Sequence, residues 1–354
     1  MKTNLSFDLV VVGAGSGGIG ATLAAGRLGL KVLLIEKQPF VGGNAAQSGV
    51  SVWEMGVGGT GIPFDIYKCL KKIPSAVGIY RFNKHRKWQL ASGEQPLHPG
   101  AELLIDPNLQ YTDSLLRHGS ETGIDNEPFV RQYFHGVPFE PGAYQKVVEE
   151  MLEETGNITL LKDTTFETVN HSHHEIESIL LSNGASVKAK SFIDTTDNAF
   201  LCEAAGSELQ FGQEGRDKYN EPSAPDFPSK RINGVSLIYR ISQSDSIDQR
   251  NTPGNKEMEG CWWADEFPVA SIVQYPNGDL NVNMLPTMEG NEFENYTSYG
   301  DAYAECLKRV YAHFEHLKRT YPPYSDYKLC WVAPALGVRE GRRVITEYIL
   351  TQHD

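Results

Sequence analysis

The sequence predicts an α/β fold: a parallel sheet interrupted by a small antiparallel sheet, then an α+β domain with an antiparallel sheet of its own. Three observations predict it. Residues 8–12 and 31–35 are short apolar runs of the kind that form buried parallel strands, joined by a glycine-rich turn and a helical stretch over 17–28. Residues 164–169, 177–181 and 186–193 alternate as strands of a half-solvated sheet do. Beyond residue 207, Gly-, Pro- and Asn-rich joints separate strand-like runs at 234–241, 269–275 and 280–285. Asn277-Gly278 between the last two is a hairpin signal, and a helix over 303–319 covers that sheet.

The first element carries the most chemistry. Phe7-Asp8-Leu9-Val10-Val11-Val12 leads into Gly13-Ala14-Gly15-Ser16-Gly17-Gly18, and Val32-Leu33-Leu34-Ile35 ends at Glu36. Gly13 lets the chain turn sharply out of the strand, Gly15 lets a pyrophosphate approach the backbone, and Gly18 lets the helix press against the sheet. The helix start offers unpaired N–H groups and about half a unit of positive charge to phosphates. Glu36 stands where a carboxylate accepts hydrogen bonds from ribose hydroxyls, which favours a free 2′-hydroxyl over a 2′-phosphate. The pattern fixes a dinucleotide without choosing between NAD and FAD.

The next residues tilt that choice. Lys37-Gln38-Pro39-Phe40-Val41-Gly42-Gly43-Asn44 opens a glycine-rich stretch to Gly61 with little helical or strand periodicity. An NAD domain usually enters another compact helix at this point, whereas a Gly-Gly permits close backbone approach to a flavin.

Residues 8–37 with 41–43 resemble the FAD-dependent oxidoreductases of the glutathione-reductase structural class. Ser191-Phe192-Ile193-Asp194-Thr195-Thr196-Asp197-Asn198, the helix-like stretch 199–206 and Ala335-Leu336-Gly337-Val338-Arg339-Glu340-Gly341-Arg342-Arg343-Val344 are similar to the group within it named simply FAD-dependent oxidoreductase. The resemblance implies a Rossmann-like FAD-binding domain over 1–206, with a loop and helical insertion at about 62–140. It also implies a substrate domain over 207–334 and, from 335 to 354, the start of a return to the FAD domain. Cofactor contacts are expected at Gly13, Gly15, Gly17, Gly18, Glu36, Lys37, Gly42, Gly43 and Asn44, with Asp194 and Thr195 flanking them. Thr165 and Phe166, at the first strand of the antiparallel insertion, are implied near the adenine. Where the resembling enzymes read Ala-Thr-Gly, this chain has Thr195-Thr196-Asp197. Such proteins carry a further segment with a Gly-Asp that binds the flavin. Nothing after Arg343 supplies it, so either the chain is truncated or another chain completes the fold, and this chain alone is expected to hold FAD weakly.

Composition agrees with a two-domain globular protein: 354 residues, 40% hydrophobic and 22% charged. A net charge of −13 argues against nucleic-acid or anionic-membrane partners. No compact leader and no uncharged run of membrane length is present, so the cytoplasm is the expected location. The five cysteines are scattered without a C-x-x-C, and none falls between residues 42 and 61, which excludes a redox disulfide there. No histidine falls in that stretch either, so a non-covalent flavin is expected. His171, His173 and His174 read as a polar hairpin tip, His313 and His316 as one turn of a helix face, and no metal is expected.

Arg81, Lys84, His85, Arg86 and Lys87 form a basic run, either a solvated face or an anion-receiving rim. Over 141–154, Tyr144, Val147, Val148, Met151 and Leu152 recur at helical spacing as a core-facing stripe behind Pro141 at the helix start. Arg339 and Arg342, spaced by glycine, are candidate catalytic residues, since guanidinium groups bind carboxylates bidentately and stabilise charge on a reduced flavin. No general base stands out. The sequence is read as that of an FAD-dependent oxidoreductase that transfers a hydride between a small-molecule substrate and FAD. The alternatives are an NAD-dependent dehydrogenase and a non-catalytic flavin-fold subunit.

Overall fold

The structure, a computed structural model, describes residues 4–53, 61–77, 82–83, 137–173, 175–243, 261–268, 270–275, 277–351 and 353–354. The basic run at 84–87, Arg81 and His174 lie outside them. The chain divides into two compact units. One comprises Met1–Gly43, Val148–Asn233 and Val338–Asp354, and the other Asn44–Val147 and Gly234–Gly337.

The first unit is built on a six-stranded sheet. Its elements are β1 (Asn4–Val12), α1 (Ser16–Arg27), β2 (Val32–Ile35), the C-terminal half of α2 (Pro141–Glu154), β3 (Ile158–Leu161), β4 (Phe166–Ser172), β5 (Glu175–Leu181), β6 (Ser186–Asp194) and α3 (Phe200–Ala204). Strand order is β3-β2-β1-β6-β5-β4. β1 pairs in parallel with β2 and with β6, and β2 with β3, whereas β5 runs antiparallel to both β6 and β4. β2 is buried at all four positions, as a central parallel strand covered on both faces must be.

The antiparallel strands expected as a separate unit are continuous with the parallel sheet. β6 is one nine-residue strand that pairs with β1 from Asn4↔Ser186 to Val12↔Asp194 and also carries β5. Its run of Val187, Ala189 and Phe192 has no Gly or Pro to break it, so one strand serves both halves. The core joins Phe7, Val10, Val12, Leu33 and Ile35 to Ile179, Leu181 and Val187.

Residues 207–233 group with the first unit. Leu209–Gln210 pairs with Arg343–Val344, and Gln213 bridges Ser229, which ties 207–233 to the end of the chain. Residues 44–53 group with the second unit, where Val52–Trp53 pairs with Val137–Pro138.

The second unit holds an antiparallel sheet of β7 (Tyr239–Ser242), β8 (Ala270–Gln274) and β9 (Leu280–Met284), a long helix α4 (Tyr299–Thr320), and β10 (Lys328–Val332). Strand order is β10-β7-β9-β8, with Phe82–Asn83 at the β8 edge. Asn277-Gly278 makes the expected hairpin tip, with Gly278 at φ 93 and the Asn277 side chain accepting from the Asp279 N–H. α4 starts four residues earlier than its apolar spacing suggests, because the Ser298 hydroxyl accepts the Asp301 N–H and caps it. The run 234–241 is a strand only from Tyr239, since Val235 and Ser236 make isolated bridges to Met288 and Gly337.

Arg240 sits on one face of this sheet beside Asn281, its cross-strand neighbour. Its guanidinium binds Glu140 through two nitrogens at 2.7 and 2.9 Å, reaches Asp279 at 2.8 Å and lies 4.0 Å over the Tyr275 ring. The Tyr275 hydroxyl contacts Ser51 Oγ at 2.6 Å, and the Asn281 amide donates to Gly49 O. These bonds fasten residues 49–51 to the sheet.

Candidate functional site

The glycine turn lies at the C-terminal edge of β1, between the ends of β2 and β6, where open α/β sheets bind ligands. Each glycine meets a different constraint. Gly13 has φ +103, and a Cβ there would lie 2.6 Å from the Thr195 carbonyl oxygen. At Gly18 a Cβ would fall 1.8 Å from the Gly13 carbonyl oxygen, so only glycine lets α1 close on the turn. At Gly15 a Cβ would meet nothing within 4 Å. The first two glycines are therefore demanded by the fold, and the third leaves room for something else.

Gly15 is also the N-cap of α1. It offers no side-chain cap, and the first turn holds no acidic residue. The first N–H groups and the positive end of the helix dipole are thus offset by no residue of the helix itself. Gly17 lies in this turn, where a Cβ would make ordinary contact with the Thr195 methyl at 3.7 Å.

Glu36 is buried at the end of β2, at 8% exposure. Its carboxylate accepts the Ala14 N–H at 2.7 Å and the Gln38 N–H at 2.8 Å, so it is held against the glycine turn. A carboxylate has about four lone-pair sites. Two are taken, and two are left for ribose hydroxyls. These features meet the needs of a dinucleotide: a bare, cationic helix start for the diphosphate and a fixed acid for the sugar.

Gly42 and Gly43 close the other side of the turn. Gly42 donates its N–H to Ala14 O at 2.8 Å, and a Cβ on Gly43 would lie 3.0 Å from the Gly15 Cα. Both have positive φ, 112 and 47. The close approach that the Gly-Gly permits here is therefore to the backbone of the glycine turn. Asn44 belongs to the second unit, where its side-chain oxygen lies 2.9 Å from Ser48 Oγ.

Asp194 spends its carboxylate on its own turn, accepting the Thr196 N–H and hydroxyl at 2.9 and 2.7 Å and the Cys202 N–H at 2.9 Å. Thr195 buttresses the glycine turn, with its hydroxyl 2.8 Å from Val12 O and 2.7 Å from Gly13 O. Lys37 pairs with Asp197 at 3.9 Å, and both are exposed. Thr165 is exposed, and its backbone is engaged in both directions by Ser182: the N–H donates to Ser182 Oγ and the carbonyl accepts the Ser182 N–H. Phe166 is half-buried and packs against the sheet core.

The arginines of residues 339–343 separate into two kinds. Arg342 is paired with Glu203, lies 5.4 Å from the Phe200 ring, and donates its N–H to Asn198 Oδ1 at 2.9 Å. Arg343 binds Glu214 at 2.9 Å and Glu340 at 3.4 Å. Arg339 is exposed and makes no ion pair among the described residues. An exposed pair such as Arg342–Glu203 contributes ~1 kcal/mol or less. Arg342→Ala is thus expected to shift the melting temperature only slightly, which a thermal denaturation series checks.

Burial pushes the Cys202 thiol up to about 11, assisted by the neighbouring Asp194, and burial likewise lifts Cys306 to about 12 and Cys330 to about 11. Among the described residues no group of three His, Cys, Asp or Glu is placed to hold a metal, and no helix is long and apolar enough to cross a membrane.

Comparison with known proteins names the class. A 47-residue segment is 49% identical to the 3-oxosteroid 1-dehydrogenase of Mycobacterium tuberculosis, covering 13% of this chain and 8% of that protein. A 38-residue segment is 55% identical to the fumarate reductase (cytochrome) of Shewanella frigidimarina, covering 11% and 7%. The matches thus span a small fraction of these curated relatives. Among solved structures, p-nitrophenol 4-monooxygenase from Pseudomonas putida matches with a TM-score of 0.50 at 15% identity, over 93% of this chain and 67% of that one. The myxobacterial chondrochloren halogenase, a variant of FAD-dependent halogenases, matches with a TM-score of 0.50 at 12% identity, over 96% and 64%. These likenesses establish the fold. The profile of the family described as FAD dependent oxidoreductase matches residues 8–354, nearly the whole chain: the protein belongs to that family, and its cofactor is FAD.

Proposed function

We propose that the protein transfers a hydride between a small-molecule substrate and FAD held without a covalent bond. The observation that carries this reading is the open position at Gly15, flanked by the uncapped start of α1 and by the fixed carboxylate of Glu36. The N–H groups of the first turn of α1 receive the diphosphate, and Gly15 keeps the backbone bare for it. Glu36 accepts the ribose hydroxyls and repels a 2′-phosphate, so the site selects an unphosphorylated adenosine. Thr195, Gly42 and Gly43 hold the glycine turn in shape. The stretch 42–61 has neither histidine nor cysteine to form a flavin bond. When bound, FAD supplies the hydride-accepting ring, and the polypeptide orients the reactants and sets the field around them.

Arg339 takes the role of a cation for an anionic substrate or for charge on the reduced ring, because Arg342 and Arg343 are already bound to carboxylates. Arg339→Ala is expected to weaken turnover by about tenfold, the loss of one charge-assisted hydrogen bond, with the melting temperature unchanged. The deciding experiment is anaerobic: the FAD-loaded protein is mixed with a panel of alcohols, amines and their oxidised counterparts, and the flavin absorbance is followed. Bleaching by at least one reduced compound is the expected result. Bleaching by dithionite alone would contradict hydride transfer.

A further inference from the structure

The first unit holds a cavity of about 290 Å³ that neither the glycine turn nor Glu36 lines. It lies where the end of α3 meets the outer end of the β4–β5 hairpin. Gly206, at φ +84, turns the chain out of α3, and a Cβ there would lie 3.8 Å from His171 Cε1. Ile176 of β5 and Phe192 of β6 give the cavity apolar walls. Its volume is at the lower end of what small-molecule pockets span, room for a single ring with a short arm.

The mouth is polar. His171, Glu175 and Ser207 line it, all three exposed, and their side chains make no hydrogen bond or ion pair among the described residues. Glu177, two residues further on, is by contrast already bound by the Asn170 amide and the Ser172 hydroxyl. At the base, the Asp194 carboxylate is held by Thr196 and by the Cys202 N–H. The Cys202 thiol, pushed up to about 11 by burial and by Asp194 beside it, stays protonated and adds no charge. Among the described residues no lysine or arginine lines the cavity. Its fixed charge is therefore that of two carboxylates, on a protein of net charge −13. An anion entering it meets repulsion from both, whereas a cation with an apolar body meets attraction at the mouth and burial against the walls.

We propose that this cavity is a second ligand site, which takes a small organic cation: a protonated primary amine carried on one apolar ring. Glu175 accepts hydrogen bonds from the ammonium, with Ser207 and His171 beside it, and Ile176 and Phe192 cover the ring. The site is additional to the one that holds FAD, and no step of the hydride transfer passes through it.

Benzylamine is the probe. Its titration into the FAD-loaded protein, followed by saturation-transfer NMR of the ring protons, is expected to give a dissociation constant on the order of 1 mM. Benzyl alcohol, which has the same shape without the charge, is expected to bind about tenfold or more weakly. Glu175→Gln, at an exposed position, is expected to keep the melting curve and the FAD content and to lose about tenfold or more in benzylamine affinity. Ala205→Leu, which fills the cavity from the end of α3, is expected to exclude the ring. If Ala205→Leu does not fold, Ser207→Trp at the exposed mouth must block the ring instead. No binding of benzylamine by wild type, equal affinity for benzyl alcohol, or unchanged affinity in Glu175→Gln overturns the proposal. Release of FAD in proportion to the amine bound also overturns it, since the cavity would then be part of the cofactor site.

Discussion

Gly18→Ala is expected to cost both stability and FAD, whereas Gly15→Ala is expected to cost FAD alone. The added methyl at Gly18 would lie 1.8 Å from the Gly13 carbonyl oxygen and 2.7 Å from Thr195 Oγ1. The first of these is backbone in a turn fixed on both sides, by the Gly13 N–H to Ile35 O at 2.8 Å and the Thr195 N–H to Val12 O at 2.9 Å. It cannot yield without moving α1 off the sheet. Overpacking of this kind costs about 1–3 kcal/mol and sometimes more, and it distorts the helix start that receives the diphosphate. At Gly15 the backbone, φ −75 and ψ −173, is open to any residue, and the methyl meets nothing within 4 Å. The small N-cap preference of glycine over alanine is offset by the reduced freedom of the unfolded chain. A methyl in the space meant for a phosphate nonetheless breaks one or more charge-assisted hydrogen bonds, each about 1.5–3 kcal/mol, or about ten- to a hundredfold in affinity. Thermal melts and FAD dialysis on the two variants check this. A drop in melting temperature for Gly15→Ala equal to that of Gly18→Ala would show the turn to be purely architectural.

Glu36→Ala is expected to be the second severe change. Removing the carboxylate strips the Ala14 and Gln38 N–H groups of their acceptor in a site only 8% exposed. Each unsatisfied buried donor costs about 1–3 kcal/mol, and the ribose loses its partner as well. Glu36→Gln separates the two effects. Its amide keeps one acceptor oxygen, so it can still take one backbone N–H while presenting a donor in place of the other oxygen. Stability is expected to fall less than in Glu36→Ala, while FAD affinity falls by about tenfold or more. Equal FAD affinity in wild type and Glu36→Gln would remove the acid from the sugar.

The parts legible in the sequence were those fixed by local chemistry. The sharp turn at Gly13, the close packing at Gly18 and the Asn277-Gly278 hairpin tip each follow from short-range steric needs, and the structure shows that geometry. The parts that escaped depend on which distant segments meet. Asp194, read as a cofactor contact from its place at a strand end, also ties the end of β6 to α3, its oxygens accepting from Thr196 and from the Cys202 N–H. The role of Gly43 against Gly15 needs the loop folded back, which no local pattern announces. Glycine spacing made Arg339 and Arg342 look equivalent, yet only the tertiary arrangement brings Glu203 to one of them.

The central claim is that affinity for the cofactor resides in its adenosine diphosphate half, at the start of α1 and the acid of β2. Competition dialysis measures this directly: FAD bound to the protein is challenged separately with ADP and with FMN. Displacement by ADP at concentrations where FMN leaves FAD in place is the predicted result. Displacement by FMN with ADP inert would place the binding energy on the flavin half and contradict the account.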